Sequence, residues 1–246
     1  MGGMRDDLQL ADVVVERKGS QFRLGPISHS FRRGITAVVG VNGAGKSTLF
    51  SAIAGTEKIA DGVVQLPESH TSVRRRIGFL PQTPTFPPSA TVEDVLTLLA
   101  WAVGVARPPD EVTRVSARLD LNGLRRKRVK HLSGGMIRRL GIAQAMIGSP
   151  EVLLLDEPTA GLDPIQRISV RDAITESCGD TVTLVSTHLV EDVRNLADSV
   201  VVLNDGAPVF AGSVRELESL APLSSTRGES RLESALTHLY LGGSDD

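Results

Sequence analysis

The sequence is nearly without cysteine: Cys178 is the one thiol among 246 residues. A lone cysteine excludes an internal disulfide, so the fold must be held by its core, and a reducing cytoplasm suits it. No partner base is suggested nearby, so the thiol reads as inert rather than nucleophilic. Aromatic residues make up only 3% against 41% hydrophobic, so the core must be assembled from Val, Leu, Ile and Ala. Net charge is almost lacking too, at −2, which removes any global pull toward nucleic acid or anionic lipid. The longest apolar run covers residues 95–106. That is short of the roughly twenty residues needed to span a bilayer. The opening MGGMRDDLQ carries no apolar core, so no signal peptide is expected. There is no internal repeat and no low-complexity tract. What remains possible is one large α/β domain, or such a domain with a small insert.

The stretch that gives the chain its meaning is GVNGAGKST, residues 40–48. It follows an apolar strand at 35–39 and precedes a helix predicted over 46–54. Gly40, Gly43 and Gly45 allow a tight turn in which successive N–H groups face a phosphate. The helix N-terminus adds free amides and partial positive charge. Lys46 brings a full charge to the terminal phosphates, and the Ser47 hydroxyl is placed for Mg²⁺. The candidate nucleotide-binding set is Gly40, Asn42, Gly43, Ala44, Gly45, Lys46, Ser47 and Thr48. A chance match to this pattern is expected in roughly one chain in a hundred, and the flanking strand and helix lower those odds.

Strands are also predicted at 10–15, 22–31 (broken by Gly25-Pro26), 63–66 and 77–80. From Gln82 onward the pattern changes. Thr91 and Asp94 form a capping box opening a helix to about residue 105. Pro108-Pro109 ends it, and a second helix is predicted over 110–121, stopped by Asn122-Gly123. Residues 83–148 therefore read as a helical insert. The α/β alternation resumes with strands at 152–155 and 181–186 and helices at 165–177 and 189–197. Asn204-Asp205-Gly206 then marks a hairpin between 200–203 and 208–211. Strands alternating with helices give a parallel sheet covered on both faces. The layout expected is an α/β core in residues 1–82 and 149–212, a helical subdomain at 83–148 and a C-terminal helical tail at 213–246.

Two further pieces of chemistry follow. VLLLDE at 152–157 is a buried strand ending in two carboxylates. Asp156 at the sheet edge can hold the water shell of Mg²⁺. Glu157 can orient or deprotonate a water attacking the γ-phosphate. LSGGM at 132–136 opens a helix and offers Ser133, Gly134 and Gly135 as a second anion-binding end. One nucleotide needs only one Gly-rich loop, so this surface points to a nucleotide held by another molecule. The plain reading is an N-cap at Ser133. His188 follows a strand end and is placed for the γ-phosphate. Gln82, at the junction with the insert, is a candidate for Mg²⁺ or the attacking water.

In this order, GVNGAGKST, Gln82, LSGGM, VLLLDEP, AGLD at 160–163 and STH at 186–188 resemble the ATP-binding cassette family. The match covers about residues 10–212. It implies a P-loop core with an N-terminal antiparallel β part, ATP and Mg²⁺ as ligands, and a head-to-tail homodimer or heterodimer of cassettes. Each ATP would lie between the 40–48 loop of one subunit and residues 133–135 of the other, with Asp163 crossing the interface. The resemblance also implies Glu157 as general base, His188 at the γ-phosphate, and a separate transmembrane permease docked on the insert at the cytoplasmic face. There are two departures from the family pattern. The position of the aromatic that stacks on adenine falls near Arg17-Lys18, with Phe22 out of register, which leaves Arg17 to stack on the base. Met136 stands where Gln is usual, but the phosphate-contacting residues remain. The tail at 231–241 is similar to C-terminal segments of drug and antibiotic exporter ATPases. The competing reading is a cassette ATPase working on nucleic acid, ribosomes or cofactor assembly through the basic run at 125–130. That run lacks interleaved aromatics, so a solvated surface is preferred and no nucleic-acid partner is expected.

Overall fold

The computed structural model describes residues 6–16, 19, 22–68, 77–177, 181–222 and 230–240. Cys178, Arg17 and Lys18 lie outside the described residues. Two sheets carry the architecture. The smaller is antiparallel, with β1 (Leu8–Glu16) between β2 (Arg23–Phe31) and β4 (Asp61–Gln65). The larger has the order β5-β6-β7-β3-β8-β9, built from β3 (Gly34–Val39), β5 (Ile77–Leu80), β6 (Val152–Asp156), β7 (Val182–Thr187), β8 (Ser199–Asn204) and β9 (Ala207–Ser213). All its neighbours are parallel except β9, which returns antiparallel on β8. The α/β class with an antiparallel N-terminal part is therefore as the sequence implies.

The central strands explain why these apolar runs become sheet rather than helix. Every residue of β6 and β7 is buried, as expected of parallel strands covered on both faces. The alternation of side chains divides each strand between two cores. Val152 and Leu154 face a core shared with the small sheet and α1 (Lys46–Ile53), whereas Leu153 and Leu155 face the helices on the other side. That second core is filled by α2 (Val92–Ala102), α3 (Pro108–Arg118), α4 (Gly134–Met146) and α5 (Pro164–Ser177). A third cluster packs Ala37, Val39, Val200 and Val202 against α6 (Val190–Leu196), α7 (Val214–Ser219) and α8 (Arg231–Tyr240).

Local signals mostly hold. Thr91 and Asp94 close the capping box of α2. Asp205 and Gly206 both take positive φ in the β8–β9 hairpin, the geometry its turn requires. Two expectations are corrected. Pro108-Pro109 opens α3 instead of closing α2, because proline suits a first turn where no amide is needed. Gly25-Pro26 does not break β2: its ladder to β1 continues, with register shifts opposite.

Candidate functional site

The carboxyl ends of β3, β6 and β7 share one edge of the sheet, and the loops leaving them converge there. After β3 the chain makes its Gly-rich turn. Gly43 and Gly45 take φ of 86° and 105°, a region open to glycine at little cost. Gly45 is the N-cap of α1 and no side chain caps it, so the first amides of the helix are left for an anion. Lys46 is 7% exposed. Its Nζ donates to the carbonyls of Gly40 at 2.7 Å and Val41 at 3.1 Å, back across its own loop. Burial lowers its pKa, while the Glu157 and Asp156 carboxylates pull it back up.

A Cβ on Gly45 would sit 2.7 Å from Leu24 Cδ1 and 3.0 Å from Phe22 Cζ, at a φ few side chains adopt. Gly45→Ala is therefore expected to weaken nucleotide binding about tenfold and destabilise the fold by roughly 1–3 kcal/mol. Calorimetric titration with ATP beside thermal melting checks both; unchanged values would show the turn to be tolerant.

From β6 come the carboxylates. Asp156 is 2% exposed and accepts a hydrogen bond from Ser186 Oγ on β7. Glu157 takes φ 52°, rare for a non-glycine residue. Its amide donates to both Ser186 O (3.2 Å) and Ser186 Oγ (2.9 Å), so β7 pins the bend. The Glu157 carboxylate meets Nδ1 of His188 at 2.9 Å and 2.8 Å from its two oxygens. His188 is half-exposed and Glu157 buried, so the pair sits at the surface of the sheet edge with the acid on the inner side.

The Gly-rich turn and Glu157 border a cavity of about 470 Å³. Asn42, Gly43, Gly45, Lys46, Ser47 and Thr48 form one wall, and Gln82 and Glu157 complete it. Phe22 also lines it, which corrects the expectation that it lies out of register: it is the aromatic group of this cavity. Ala44 is buried beneath the loop. Gly40 lies beneath it as well, where a Cβ would be 2.7 Å from the Leu203 carbonyl.

The donor set fits a magnesium nucleotide. Among the described residues no cluster of three His, Cys, Asp or Glu could hold a metal by itself. A hard cation here would take the Ser47 hydroxyl and the Gln82 amide oxygen from the lining, leaving positions for phosphate oxygens and for water that the buried Asp156 carboxylate can hold.

Asp156, His188 and the remaining expected site residues do not line this cavity. Ser133 caps α4, accepting from the Met136 amide at 3.3 Å. Asp163 accepts from the Gln166 amide at 2.9 Å at the start of α5. A Cβ on Gly135 would lie 2.2 Å from Gln166 Oε1. The starts of α4 and α5 are thus neighbours, and Ser133, Gly134 and Asp163 are exposed there.

Two charged residues were missed from the sequence. Arg138, 8% exposed, donates to the carbonyls of Gln82 at 2.8 Å and Pro81 at 3.4 Å. Burial lowers its pKa, and Asp156 and Glu157 oppose the shift. The signal was present: Gly135, Arg138, Ile142 and Ala145 fall on the buried stripe of α4, and a charge on that stripe needs a partner. Asp192 is the second.

A protein-family model described as "ABC transporter" matches residues 24–160. The chain is 35% identical over 185 residues to the "Uncharacterized ABC transporter ATP-binding protein YxlF" of Bacillus subtilis, covering 74% of this chain and 62% of that protein. It is 35% identical over 194 residues to the "Cholesterol transporter ABCA5" of Homo sapiens, covering 75% of this chain and 12% of that one. The chain thus spans less than two thirds of these relatives. Among solved structures, the "Structure of ATP binding subunit of ABC transporter" superposes with TM-score 0.79 at 24% identity, covering 94% of this chain and 98% of the other. At that identity it speaks for the fold alone.

Proposed function

Since the chain belongs to the ABC transporter family of ATP-binding domains, we propose that it hydrolyses ATP to power transport, as an export ATPase, through a separate membrane chain. One observation carries the catalytic part: Lys46, from the loop after β3, and Glu157, from the end of β6, line the same cavity. A phosphate-gripping cation and a candidate base would thus face one and the same nucleotide.

In this reading the amides of residues 43–48 and the Lys46 ammonium grip the phosphates, releasing Nζ from its own loop carbonyls. Ser47, Gln82 and Asp156 would hold Mg²⁺, which when bound neutralises phosphate charge. Glu157 accepts a proton from the attacking water. His188, held against Glu157, fixes the orientation of the carboxylate and touches the γ-phosphate. Phe22 supports the adenine by stacking.

The exposed Ser133, Gly134 and Asp163 cap the nucleotide of a second cassette, in a homodimer or heterodimer. Closure draws on contacts made only when nucleotide is bound. We take residues 1–82 and 149–212 as the catalytic core, 83–148 as the docking subdomain and 213–246 as the tail. A groove of about 380 Å³ lined by Phe86, Pro87, Val95, Leu98, Leu99 and Ala102 supports a docking role. Leu98 in this lining is 72% exposed, and Trp101 on the same helix is 70% exposed. The complex would sit on the cytoplasmic face of the membrane; among the described residues no helix is long and apolar enough to cross it.

Tagged protein extracted from detergent-solubilised membranes is expected to bring down a polytopic chain, and Leu98→Glu to lose it. Recovery with nucleic acid and no membrane protein would favour the soluble-ATPase reading instead.

A further inference from the structure

Asp192 lies on α6, just after His188, and is 1% exposed. It lines no part of the nucleotide cavity. A buried carboxylate is costly unless donors surround it, and this one is surrounded. Oδ2 accepts from Thr159 Oγ1 and, at 3.0 Å, from Thr187 Oγ1. Oδ1 accepts from Arg171 Nε at 2.7 Å and Nη2 at 2.6 Å.

The donors come from three different segments. Thr159 sits in the turn after Glu157, which closes with the Ala160 amide on the Glu157 carbonyl at 3.1 Å. Thr187 immediately precedes His188, and its Oγ1 also accepts the Leu189 amide at 3.0 Å, bracketing the histidine on both sides. Arg171 belongs to α5, the helix that starts at Asp163. One carboxylate therefore ties together the segments that carry the candidate base, its histidine and the exposed acid at the start of α5.

We propose that Asp192 is a positioning residue for the Glu157–His188 pair. It fixes the turn after Glu157 relative to the turn holding His188, so that Nδ1 stays within hydrogen-bond distance of the carboxylate. A packed apolar junction would hold the same segments together but would not fix their relative rotation, whereas directional bonds do. The proposal rests on the reading of Glu157 and His188 given above.

The test is Asp192→Asn, which keeps the shape and removes the charge. With nucleotide-binding sites titrated to count active protein, kcat is expected to fall about 10- to 100-fold, the order of effect of a misplaced reacting group. The ATP dissociation constant should stay within about twofold. In a His188→Ala background, followed by radiolabelled phosphate release, the same substitution should cost at most about twofold, because its route of action is already gone. Thr187→Val and Thr159→Val test the same bonds should Asp192→Asn fail to fold. Each should lower kcat several-fold, and Thr→Ser at the same positions should restore it. Wild-type kcat in Asp192→Asn or in both valine variants overturns the proposal. So does an undiminished effect of Asp192→Asn in the His188→Ala background. Normal turnover by His188→Ala alone overturns the Glu157–His188 reading itself, and the proposal with it.

Discussion

Glu157→Gln is expected to keep ATP binding and to lower turnover by about 10²- to 10⁴-fold, the usual share of a general base. In barrier terms that is about 3–5 kcal/mol, at 1.36 kcal/mol per decade. The substitution is a clean one at this position. The backbone at Glu157 is held at φ 52° by two hydrogen bonds from its amide to Ser186, and glutamine inherits both. The side chain keeps its length, and its amide can still meet His188 Nδ1 where the carboxylate now stands at 2.8–2.9 Å. What disappears is the proton acceptor. Phosphate release should therefore collapse while equilibrium binding of ATP persists, and the variant should accumulate a nucleotide-loaded closed form. If that form is a dimer, light scattering with ATP and Mg²⁺ will show doubled mass that wild type loses on hydrolysis. Unchanged phosphate release would remove Glu157 from the mechanism.

How much of this was legible beforehand follows from the kind of information each feature uses. The turn at residues 40–48 could be read because its requirements are local: glycines where φ is positive, a helix start beyond them, and a lysine at the first position of that helix. Asp156 and Glu157 were legible for the same reason, since an apolar strand announces where its end will be. The hairpin at Asp205-Gly206 also declares itself in its own dipeptide. Ser186 was harder. It is an ordinary polar residue at a strand end, and its role exists only because β7 pairs with β6, placing it opposite Asp156. Phe22 could not be placed by spacing along the chain, because the deciding fact is that it and Leu24, at the start of β2, lie against Gly45. Arg138 and Asp192 needed tertiary placement: Arg138 reaches a carbonyl 56 residues away, and Asp192 gathers donors as far as 33 residues back in the chain. Pro108 was misread for a different reason, since proline ends one helix and begins another with equal ease, and only the geometry after Val103 decides.

Lys46→Ala is expected to weaken ATP binding itself, by roughly 10²- to 10³-fold, in contrast to Glu157→Gln. Truncating one member of a buried, hydrogen-bonded charge pair costs about 2–5 kcal/mol, and each 1.4 kcal/mol is a decade in affinity. The same lysine does not stabilise the ligand-free fold to that extent. Burial lowers its pKa, with Glu157 and Asp156 only partly opposing. The folded state therefore binds this proton less tightly than the unfolded chain does. The resulting handicap is present at low and neutral pH. It is relieved as pH rises through the lowered value toward the ordinary one near 10.5. Lys46→Ala lacks that alkaline increment, and at neutral pH it escapes the handicap while losing the bonds to Gly40 and Val41. Its melting temperature at pH 7 should consequently stay close to wild type while nucleotide binding is largely lost. That separation distinguishes a residue placed for a ligand from one placed for the fold. Calorimetric titration with ATP, beside melting curves at neutral and alkaline pH, measures both sides. Wild-type affinity in the variant would contradict the phosphate cradle, and a large loss of stability at neutral pH would show that the lysine serves the loop more than the nucleotide.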